Sequence, residues 1–298
     1  MTRNCLPPQS EYSAVNFTVP AGACDSHVHI FGPFSEFPLA EDRSYTPQEF
    51  SPDQFAAHLD RIGFTRGVLV TASVCGTNNG SLLRGLERYP DRFRGVVVPA
   101  IDVSDEELDH WHALGVRGAR FNLLQIDGKP MYRNGVGLEV LKKLAPQFAE
   151  RGWHAQIWAH APDLPELANH LLPLGLPLVI DHMGRMNTSH GLNNPGFQFL
   201  CKLLAEGKGW VKISGADRIG DVRQEYQDVD PFAKALIAAN PENVVWGTDW
   251  PHINYFDSAL VPDDGKLVNL LSRWIDRPQD LERILISNPA RLYDFPTI

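Results

Sequence analysis

Eight short apolar runs, each followed by a segment with helical character, constrain the fold of this chain more than any other feature. Most of the runs are too short and too continuously apolar for amphipathic helices, and they are typical of strands buried on both faces. They cover residues 23–30, 67–73, 94–100, 118–124, 153–159, 177–183, 210–216 and 243–250. Several of the intervening segments begin with Ser or Asp and end with Gly or Pro, which are start and stop signals of helices. These segments include residues 51–63, 80–90, 104–115, 135–152 and 163–175.

Alternating strands and helices predict an α/β protein with a parallel sheet. Eight such units in about 250 residues is the number found in a closed (β/α)8 TIM barrel. A doubly wound open sheet is the competing fold, but it usually has fewer strands and often a Gly-rich phosphate loop, which we do not find in this sequence. We expect an N-terminal extended arm over residues 1–20 and one barrel domain over residues 21–298. Strand 1 should begin near Cys24, and strand 8 should end near Trp250.

Charge and composition exclude several classes of function. The formal net charge of −9 argues against nucleic acid as a partner, because phosphate binding needs a basic surface. We find neither a signal peptide at the N-terminus nor a segment that approaches a membrane span, so no membrane partner is expected. The four cysteines lack CxxC spacing, which indicates neither a disulfide framework nor a zinc knuckle and suits a reduced, cytoplasmic setting. They are Cys5, Cys24, Cys75 and Cys201.

Histidines and an acidic residue recur at the carboxyl ends of the predicted strands, where TIM barrels carry their active sites. In "ACDSHVHIFGP", His27 and His29 share one face of strand 1. His182 follows strand 6, and Asp249 follows the apolar part of strand 8. Three imidazoles and a carboxylate suit one divalent metal ion, Zn²⁺ above all. For the HxH pair alone, two structural, hydrogen-bonded histidines are an equally good interpretation.

Arginines at the same ends indicate an anionic ligand. Arg120, Arg185 and Arg218 follow strands 4, 6 and 7. A guanidinium makes bidentate contacts with a carboxylate or a sulfonate, so three of them in a net-acidic protein favour a small anionic substrate. The alternative is that Arg185 and Arg218 pair with the nearby Asp181 and Asp217.

Four motifs carry a resemblance to a known family. "DSHVHIFGP", "RGARFNLL", "LVIDHMGR" and "WGTDWPH" resemble the amidohydrolase superfamily, and within it the branch of 2-pyrone-4,6-dicarboxylate lactonase and related lactone hydrolases. The likeness runs from about Pro20 to "NPARLYDF" at Asn288–Phe295. It implies hydrolysis of an anionic lactone, such as a 2-pyrone dicarboxylate or a sulfo- or carboxymuconolactone, in the degradation of aromatic compounds.

The resemblance also implies roles for individual residues. Asp249 corresponds to the general base that activates water, and His27, His29 and His182 to the groups that polarise the lactone carbonyl, directly or through a metal. Arg120, Arg185 and Arg218 match arginines that bind substrate carboxylates. Tyr45 and Ser73 match polar residues of the same pocket. His252, next to the base, either orients Asp249 or contacts the substrate.

Three features keep alternatives open. Gln125 and Ile126 stand where the lactonase pattern has basic residues, and Trp158 stands where it has Tyr, so the exact lactone is left open. The alternative functions are a metal-dependent decarboxylase of an aromatic or unsaturated acid, a sugar-acid lactonase and a lactone isomerase.

Strands 4 and 5 lack a bridging Lys or Glu, so we expect one metal ion at most, and the resemblance also allows catalysis without a metal. We expect His154 and His160 to be structural. Whether the chain forms a homo-oligomer is left open.

Overall fold

One sheet of eight parallel strands forms the centre of the molecule. The computed structural model describes residues 2–126 and 128–296. Outside the described residues lie Met1, at the start of the predicted arm, Asp127, and residues 297–298, at the end of the predicted barrel domain. The strands of the sheet follow one another in chain order. They are β1 (Cys24–Val28), β2 (Arg66–Val70), β3 (Phe93–Val97), β4 (Val116–Asn122), β7 (His154–Trp158), β8 (Leu178–Ile180), β9 (Trp210–Lys212) and β10 (Val244–Val245). A separate antiparallel hairpin pairs β5 (Gln125–Ile126) with β6 (Lys129–Pro130).

Helices connect the strands on the outside of the sheet. They are α1 (Pro52–Ile62), α2 (Gly80–Arg88), α3 (Asp105–Leu114), α4 (Leu138–Glu150), α5 (Leu164–Leu171), α6 (Pro195–Ala205), α7 (Ala216–Ile219), α8 (Asp230–Ala239), α9 (Asp264–Trp274), α10 (Pro278–Glu282) and α11 (Asn288–Tyr293). A π-helical segment, Arg283–Ser287, joins the last two. Within the described residues, every helix is too short or too polar to cross a membrane.

Hydrogen bonds between the first strand and the chain after β10 close the sheet into a barrel. The Ser26 amide donates to the Trp246 carbonyl at 2.8 Å, and the Asp249 amide donates to the His27 carbonyl at 2.9 Å. The predicted (β/α)8 barrel is confirmed, and its first strand begins at Cys24 as expected. Strand 8 does not reach Trp250 as a regular strand, because its ladder ends at Val245 and Asp249 lies in the left-handed region with φ of +67°.

The local signals of the sequence explain how the helices are placed, as α1 illustrates. The Ser51 side chain accepts a hydrogen bond from the Gln54 amide, and the Gln54 side chain accepts one from the Ser51 amide, which is a capping box. Gly63 ends the helix with φ of +82°. Phe55, on the apolar face of the helix, packs against Gly67 of β2. The contact is so close that a Cβ at Gly67 would lie 2.5 Å from the Phe55 ring.

The segment before β1 contacts loops at the carboxyl end of the barrel and the helices α1 and α9. A β-bridge joins Asn4 to Thr46, and the Leu6 amide donates to the Tyr255 carbonyl at 2.9 Å. The Ser13 hydroxyl donates to Asp263, the residue that caps α9, at 2.6 Å. The division of the chain at residue 20 remains a prediction.

Candidate active site

The structure brings the three predicted histidines and Asp249 together at the carboxyl end of the barrel. His27 lies in β1 and His29 directly after it, whereas His182 and Asp249 follow β8 and β10 in left-handed turns. Their Nε2 atoms surround one carboxylate oxygen of Asp249, Oδ1, at 3.6 Å for His27, 3.4 Å for His29 and 3.9 Å for His182. All four side chains are at most 3 % exposed. The structure therefore places these four side chains in one cluster, and their roles remain predictions.

Each imidazole is held through its other nitrogen, Nδ1. That of His29 lies 2.6 Å from the Val70 carbonyl, which can only accept. That of His182 lies 2.9 Å from the Ser214 hydroxyl. His27 differs, because its Nδ1 lies between an acceptor and a donor: Asp181 Oδ1 at 3.3 Å and the Lys212 ammonium at 3.2 Å.

The four side chains fit a single divalent ion. Two ligands of a tetrahedral zinc ion, with bonds of about 2.0–2.2 Å, are separated by about 3.3–3.6 Å. The separations of 3.4–3.9 Å around Asp249 Oδ1 are close to this range. In addition, the Nε2 atoms of His27 and His182 have no hydrogen-bond partner among the described residues. His27, His29 and Asp249 offer one compact set of ligand atoms, and His27, Asp181 and His182 offer another.

Arg218 binds the other oxygen of Asp249. Its Nη2 and Nε donate to Asp249 Oδ2 at 2.7 and 3.0 Å. Burial by itself raises the pKa of Asp249, but the charge of Arg218 beside it holds that pKa well below its usual range. Burial lowers the pKa of His182 to about 4, so its ring is neutral near pH 7. Asp249 is thus an ionised carboxylate with Oδ2 occupied and Oδ1 facing the histidines.

Two further side chains hold Arg218 in this position. Asp217 Oδ2 lies 3.3 Å from the Arg218 Nε and accepts a hydrogen bond from the Tyr255 hydroxyl at 2.6 Å. The Tyr255 ring also lies under the guanidinium, 4.6 Å from its central carbon. The alternative that Arg218 pairs with Asp217 is correct in part, because the guanidinium contacts Asp217 and Asp249 together.

Arg120 and Arg185 both lie near the Trp158 indole. Their guanidinium carbons are 4.9 Å and 5.6 Å from the Trp158 ring. Arg120 donates through Nε to Asp181 Oδ2 at 3.1 Å, and Arg185 donates to the Arg218 carbonyl at 3.3 Å. The alternative for Arg185 was an ion pair with Asp181. Asp181 pairs with Arg120 instead, because its side chain points into the barrel.

A small pocket opens beside Arg120 and Trp158. It is lined by Thr71, Ser73, Val98, Arg120, Asn122, Tyr132, Gly135, Val136 and Trp158. Two of these residues carry buried N–H groups without a partner among the described residues, the Trp158 Nε1 and the Asn122 amide nitrogen. Ser73 lies in the lining as predicted, whereas Tyr45 packs behind it, edge-on against Tyr132 at 5.7 Å.

His252 is not in the pocket lining. Its ring is fully buried, and its Nε2 lies 2.8 Å from Asp264 Oδ1 on α9. The left-handed turn at His252, with φ of +60°, follows the turn at Asp249 and directs the ring to the helix rather than to the pocket. The ring pairs with Asp264 in this structure, and the role of His252 next to the base remains a prediction.

Several residues at this site were missed by the sequence interpretation. Three of them contact predicted site residues: Lys212 contacts His27, Tyr132 contacts Tyr45 and Tyr255 contacts Arg218. The fourth, Gln156, contacts Lys212. A signal existed for Lys212 and Gln156, because a lysine and a glutamine interrupt the apolar runs "WVKISGA" and "WHAQIWA" at interior positions. Long polar side chains are rarely buried without a polar partner. Tyr132 and Tyr255 lie on loops, and the pattern of the runs carries no information about them.

Comparison of the sequence with known proteins shows the family of this chain. The amidohydrolase family model matches residues 24–295, which is most of the chain. This chain belongs to the amidohydrolase family. The 4-sulfomuconolactone hydrolase of Rhizobium radiobacter is 36 % identical to it, over 97 % of this chain and 95 % of the relative. The 2-pyrone-4,6-dicarboxylate hydrolase of Comamonas testosteroni is also 36 % identical, over 94 % and 93 % of the two chains.

A solved structure is similar over the same extent. It is a crystal structure from Pseudomonas putida, described as a candidate 2-pyrone-4,6-dicarboxylic acid hydrolase, with 33 % identity and a TM-score of 0.80. The match covers 94 % of this chain and 100 % of that one. The arrangement of the site and these relatives agree on a hydrolase of the amidohydrolase family.

Proposed function

We propose that this enzyme hydrolyses a small anionic lactone, with Asp249 as the general base. The observation that carries the proposal is the environment of the two Asp249 oxygens. Arg218 occupies Oδ2, while Oδ1 faces three imidazoles in a buried site. An ionised carboxylate with one free oxygen, next to groups that can stabilise an oxyanion, is the arrangement that water-dependent opening of a lactone needs. The curated relatives are named as lactone hydrolases, which supports the same reaction.

The reaction has two steps in which the same carboxylate transfers one proton. Asp249 Oδ1 takes a proton from water as the water oxygen bonds to the lactone carbonyl carbon, and the carbonyl oxygen becomes an oxyanion. The oxyanion then collapses, the bond from the carbonyl carbon to the ring oxygen breaks, and Asp249 returns the proton to that oxygen. The product is a ring-opened hydroxy acid or its keto tautomer. Because Asp249 is ionised near pH 7, it is ready to accept the proton.

We propose that His29, His182 and Asp249, together with His27, are the residues that hold a divalent ion, with Zn²⁺ as the metal. Imidazole nitrogen and carboxylate oxygen are typical zinc ligands, and zinc supplies Lewis-acid polarisation of a carbonyl when it is bound. His29 and His182 offer their Nε2 lone pairs because Nδ1 of each is directed to a hydrogen-bond partner.

The charge and the donors of the pocket support an anionic substrate. Arg120 and Arg185 bring two cations to Trp158, and the unpartnered N–H groups of Trp158 and Asn122 face no protein acceptor. A buried donor without a partner is costly, so a ligand that presents only acceptors fits this pocket best. Carboxylate and sulfonate groups are both such ligands. We propose that Arg120 and Arg185 bind this group, with Ser73 in the lining and Tyr45 behind Tyr132.

The free cysteines support a reduced compartment. All four thiols are unpaired, and Cys5 and Cys24 are buried. This agrees with a cytoplasmic enzyme, which is the location that we propose.

A panel of lactones tests the function. We expect purified protein to open a 4-sulfomuconolactone, a carboxymuconolactone or 2-pyrone-4,6-dicarboxylate, measured as loss of ring absorbance. Asp249→Asn should lower kcat by about two to four orders of magnitude, because the amide cannot accept the proton. Circular dichroism should show an unchanged fold. The exposed Asp42→Asn is the matched control and should keep full activity.

The same panel separates the alternatives. Release of CO₂ from an aromatic or unsaturated acid, without lactone opening, would identify a decarboxylase. Turnover restricted to sugar-acid lactones would identify a sugar-acid lactonase or an isomerase. Normal turnover by Asp249→Asn on every lactone that the wild type opens would show that the assigned base is wrong.

A further inference from the structure

Tyr132 is part of the lining of the small pocket, and the backbone around it is fastened to β4. The Met131 amide, one residue before it, donates to the Leu124 carbonyl at 3.0 Å. The Asn122 amide, at the end of β4, donates to the Val136 carbonyl at 2.9 Å. These hydrogen bonds hold the chain on both sides of Tyr132 against the carboxyl end of β4. The tyrosine side chain therefore starts from a defined place beside the pocket.

The Tyr132 side chain contacts the protein through its ring rather than through its hydroxyl. The ring stands edge-on to Tyr45 with centroids 5.7 Å apart, and tilted against Trp158 with centroids 5.8 Å apart. Aromatic pairs at these distances favour a defined orientation of the rings. Three other tyrosine hydroxyls form hydrogen bonds within the protein, whereas that of Tyr132 forms none with the described residues. The Tyr132 hydroxyl is therefore available to a ligand.

Two cations lie beside the indole that the Tyr132 ring contacts. The Arg120 guanidinium carbon is 4.9 Å from the Trp158 ring, and that of Arg185 is 5.6 Å from it. Burial lowers the pKa of Arg185 and the Arg218 charge lowers it further, and Tyr132 is the neighbour that opposes this most. Because such an interaction weakens with distance, the Tyr132 hydroxyl lies near the Arg185 guanidinium.

Two buried N–H donors belong to the same pocket. Asn122 and Trp158 stand opposite each other in the pairing of β4 with β7, and both line the pocket. The Asn122 amide nitrogen and the Trp158 Nε1 have no hydrogen-bond partner among the described residues. An indole N–H can only donate, and a phenolic hydroxyl can donate as well. With the Tyr132 hydroxyl, these donors and the guanidinium groups match the oxygens of one carboxylate or sulfonate.

We propose that Tyr132 is a substrate-binding residue whose hydroxyl donates a hydrogen bond to the anionic group that Arg120 and Arg185 bind. The guanidinium groups supply charge, and the hydroxyl adds a short, directional hydrogen bond to one oxygen of the anion. Tyr132 therefore favours lactones that carry such a group over lactones that lack it. The proposal rests on the proposed function for the identity of the substrate, but binding of the anion does not require a lactone to be opened.

Tyr132→Phe removes the hydroxyl and keeps the ring with its contacts to Tyr45 and Trp158. For an anionic lactone that the wild type opens, we expect KM to rise about 10- to 100-fold with kcat little changed, because one hydrogen bond to a charged group is lost. On the neutral amide of the same lactone, kcat/KM should stay at the wild-type value. The preference for the anionic lactone should therefore fall about 10- to 100-fold. Equal losses on both compounds would show a structural role and overturn the proposal.

Calorimetry with two aromatic dianions that have no lactone bond separates this proposal from the reaction. The probes are benzene-1,3-dicarboxylate and 3-sulfobenzoate, and Kd for at least one of them should rise about 10- to 100-fold in Tyr132→Phe. This loss in a protein that opens no lactone would refute lactone hydrolysis and support the role of Tyr132. Lactone opening with unchanged KM and Kd in Tyr132→Phe would overturn the role of Tyr132 alone. Binding of neither probe to the wild type would also overturn it.

Tyr89→Phe is the matched control. Tyr89 follows α2, and its hydroxyl donates to Asp53 on the surface at 2.7 Å. This variant should leave KM, the affinity for both dianions and the preference for the anionic lactone unchanged. Circular dichroism and urea denaturation should show that Tyr132→Phe folds as the wild type does, so that its losses report on the missing hydroxyl. The same losses in Tyr89→Phe would show that they are not specific to the pocket and would overturn the proposal.

Discussion

The guanidinium of Arg218 is bound to the carboxylate that we propose as the general base. Its two N–H donors occupy one oxygen of Asp249, and Asp217 and Tyr255 hold the guanidinium from behind. The resemblance implies that Arg218 binds a substrate carboxylate. For that contact, the Arg218 side chain must leave Asp249 or share its N–H donors between Asp249 and the substrate. Arg218 therefore occupies one oxygen of Asp249 and lowers the pKa of that carboxyl.

Replacing Arg218 tests this role through the pH dependence of catalysis. The folded-state pKa of Asp249 is depressed, so the base stays ionised down to acid pH in the wild type. In Arg218→Met the opposing charge is gone and burial raises this pKa, so the acid limb of the kcat/KM profile should move up by about one to three pH units. The exposed Arg223→Met serves as control. An acid limb at the wild-type position would show that Arg218 does not control the charge of Asp249.

At the level of elements, the site depends on the seam where the barrel closes. Asp25 on β1 accepts hydrogen bonds from the Thr248 amide at 3.0 Å and from the Thr248 hydroxyl at 2.6 Å. A Cβ on Gly247 would lie only 2.5 Å from the His27 amide nitrogen, so the two segments approach as closely as glycine permits. The seam fixes His27 and His29 on one side relative to Asp249 on the other.

The sequence was sufficient for the strands and for the residues that surround Asp249. Buried strands and capped helices are local patterns, and residues at the ends of parallel strands converge by topology. Residues 246–250, which close the barrel against β1, were not predictable in the same way. There the Asp25 side chain takes the place of part of the backbone hydrogen bonding between the two segments. Lys212 was missed because its partner Gln156 is distant in sequence, and the pairing of His252 with Asp264 on α9 was not predictable from the local pattern either.

Thr248→Val tests the seam. The change keeps the shape of the side chain but leaves Asp25 Oδ2 buried without its hydroxyl donor, which costs about 1–3 kcal/mol in the free energy of unfolding. Urea denaturation measures this loss. Activity should fall as well, because the Asp249 turn loses its anchor. The exposed Thr65→Val should change neither quantity, and a Thr248→Val protein as stable as this control would contradict the role of the seam.

At the scale of the whole molecule, the residues directly after Asp249 contact α1, near the start of the chain, and α9, near its end. The His252 ring pairs with Asp264 on α9, and Trp250 stacks on His58 of α1 with ring centroids 5.2 Å apart. The Tyr12 hydroxyl of the N-terminal segment lies 3.1 Å from His58 Nδ1. The strained turn that presents the proposed base is therefore supported by two helices and by residues that lie before the first strand.

The ion pair between His252 and Asp264 makes part of this support dependent on pH. Burial by itself lowers the pKa of His252, but Asp264 outweighs burial and raises that pKa above its ordinary value. A group with a raised folded-state pKa stabilises the fold fully below its unfolded pKa of about 6.5, and this contribution is lost as pH rises through the folded-state pKa. The pair should therefore contribute more at pH 6 than at pH 9, where Asp264 is ionised throughout.

His252→Gln measures that contribution, because it leaves Asp264 buried without its cation. At pH 6 the free energy of unfolding should fall by about 3–5 kcal/mol, the usual cost of breaking a buried ion pair. At pH 9 the wild-type ring is closer to neutral, so the difference between wild type and variant should be smaller. The exposed His190→Gln, denatured in urea at both pH values, controls for loss of a histidine as such. A difference that is constant or grows from pH 6 to pH 9 would mean that His252 is neutral in the folded protein and supports the turn by its hydrogen bond alone.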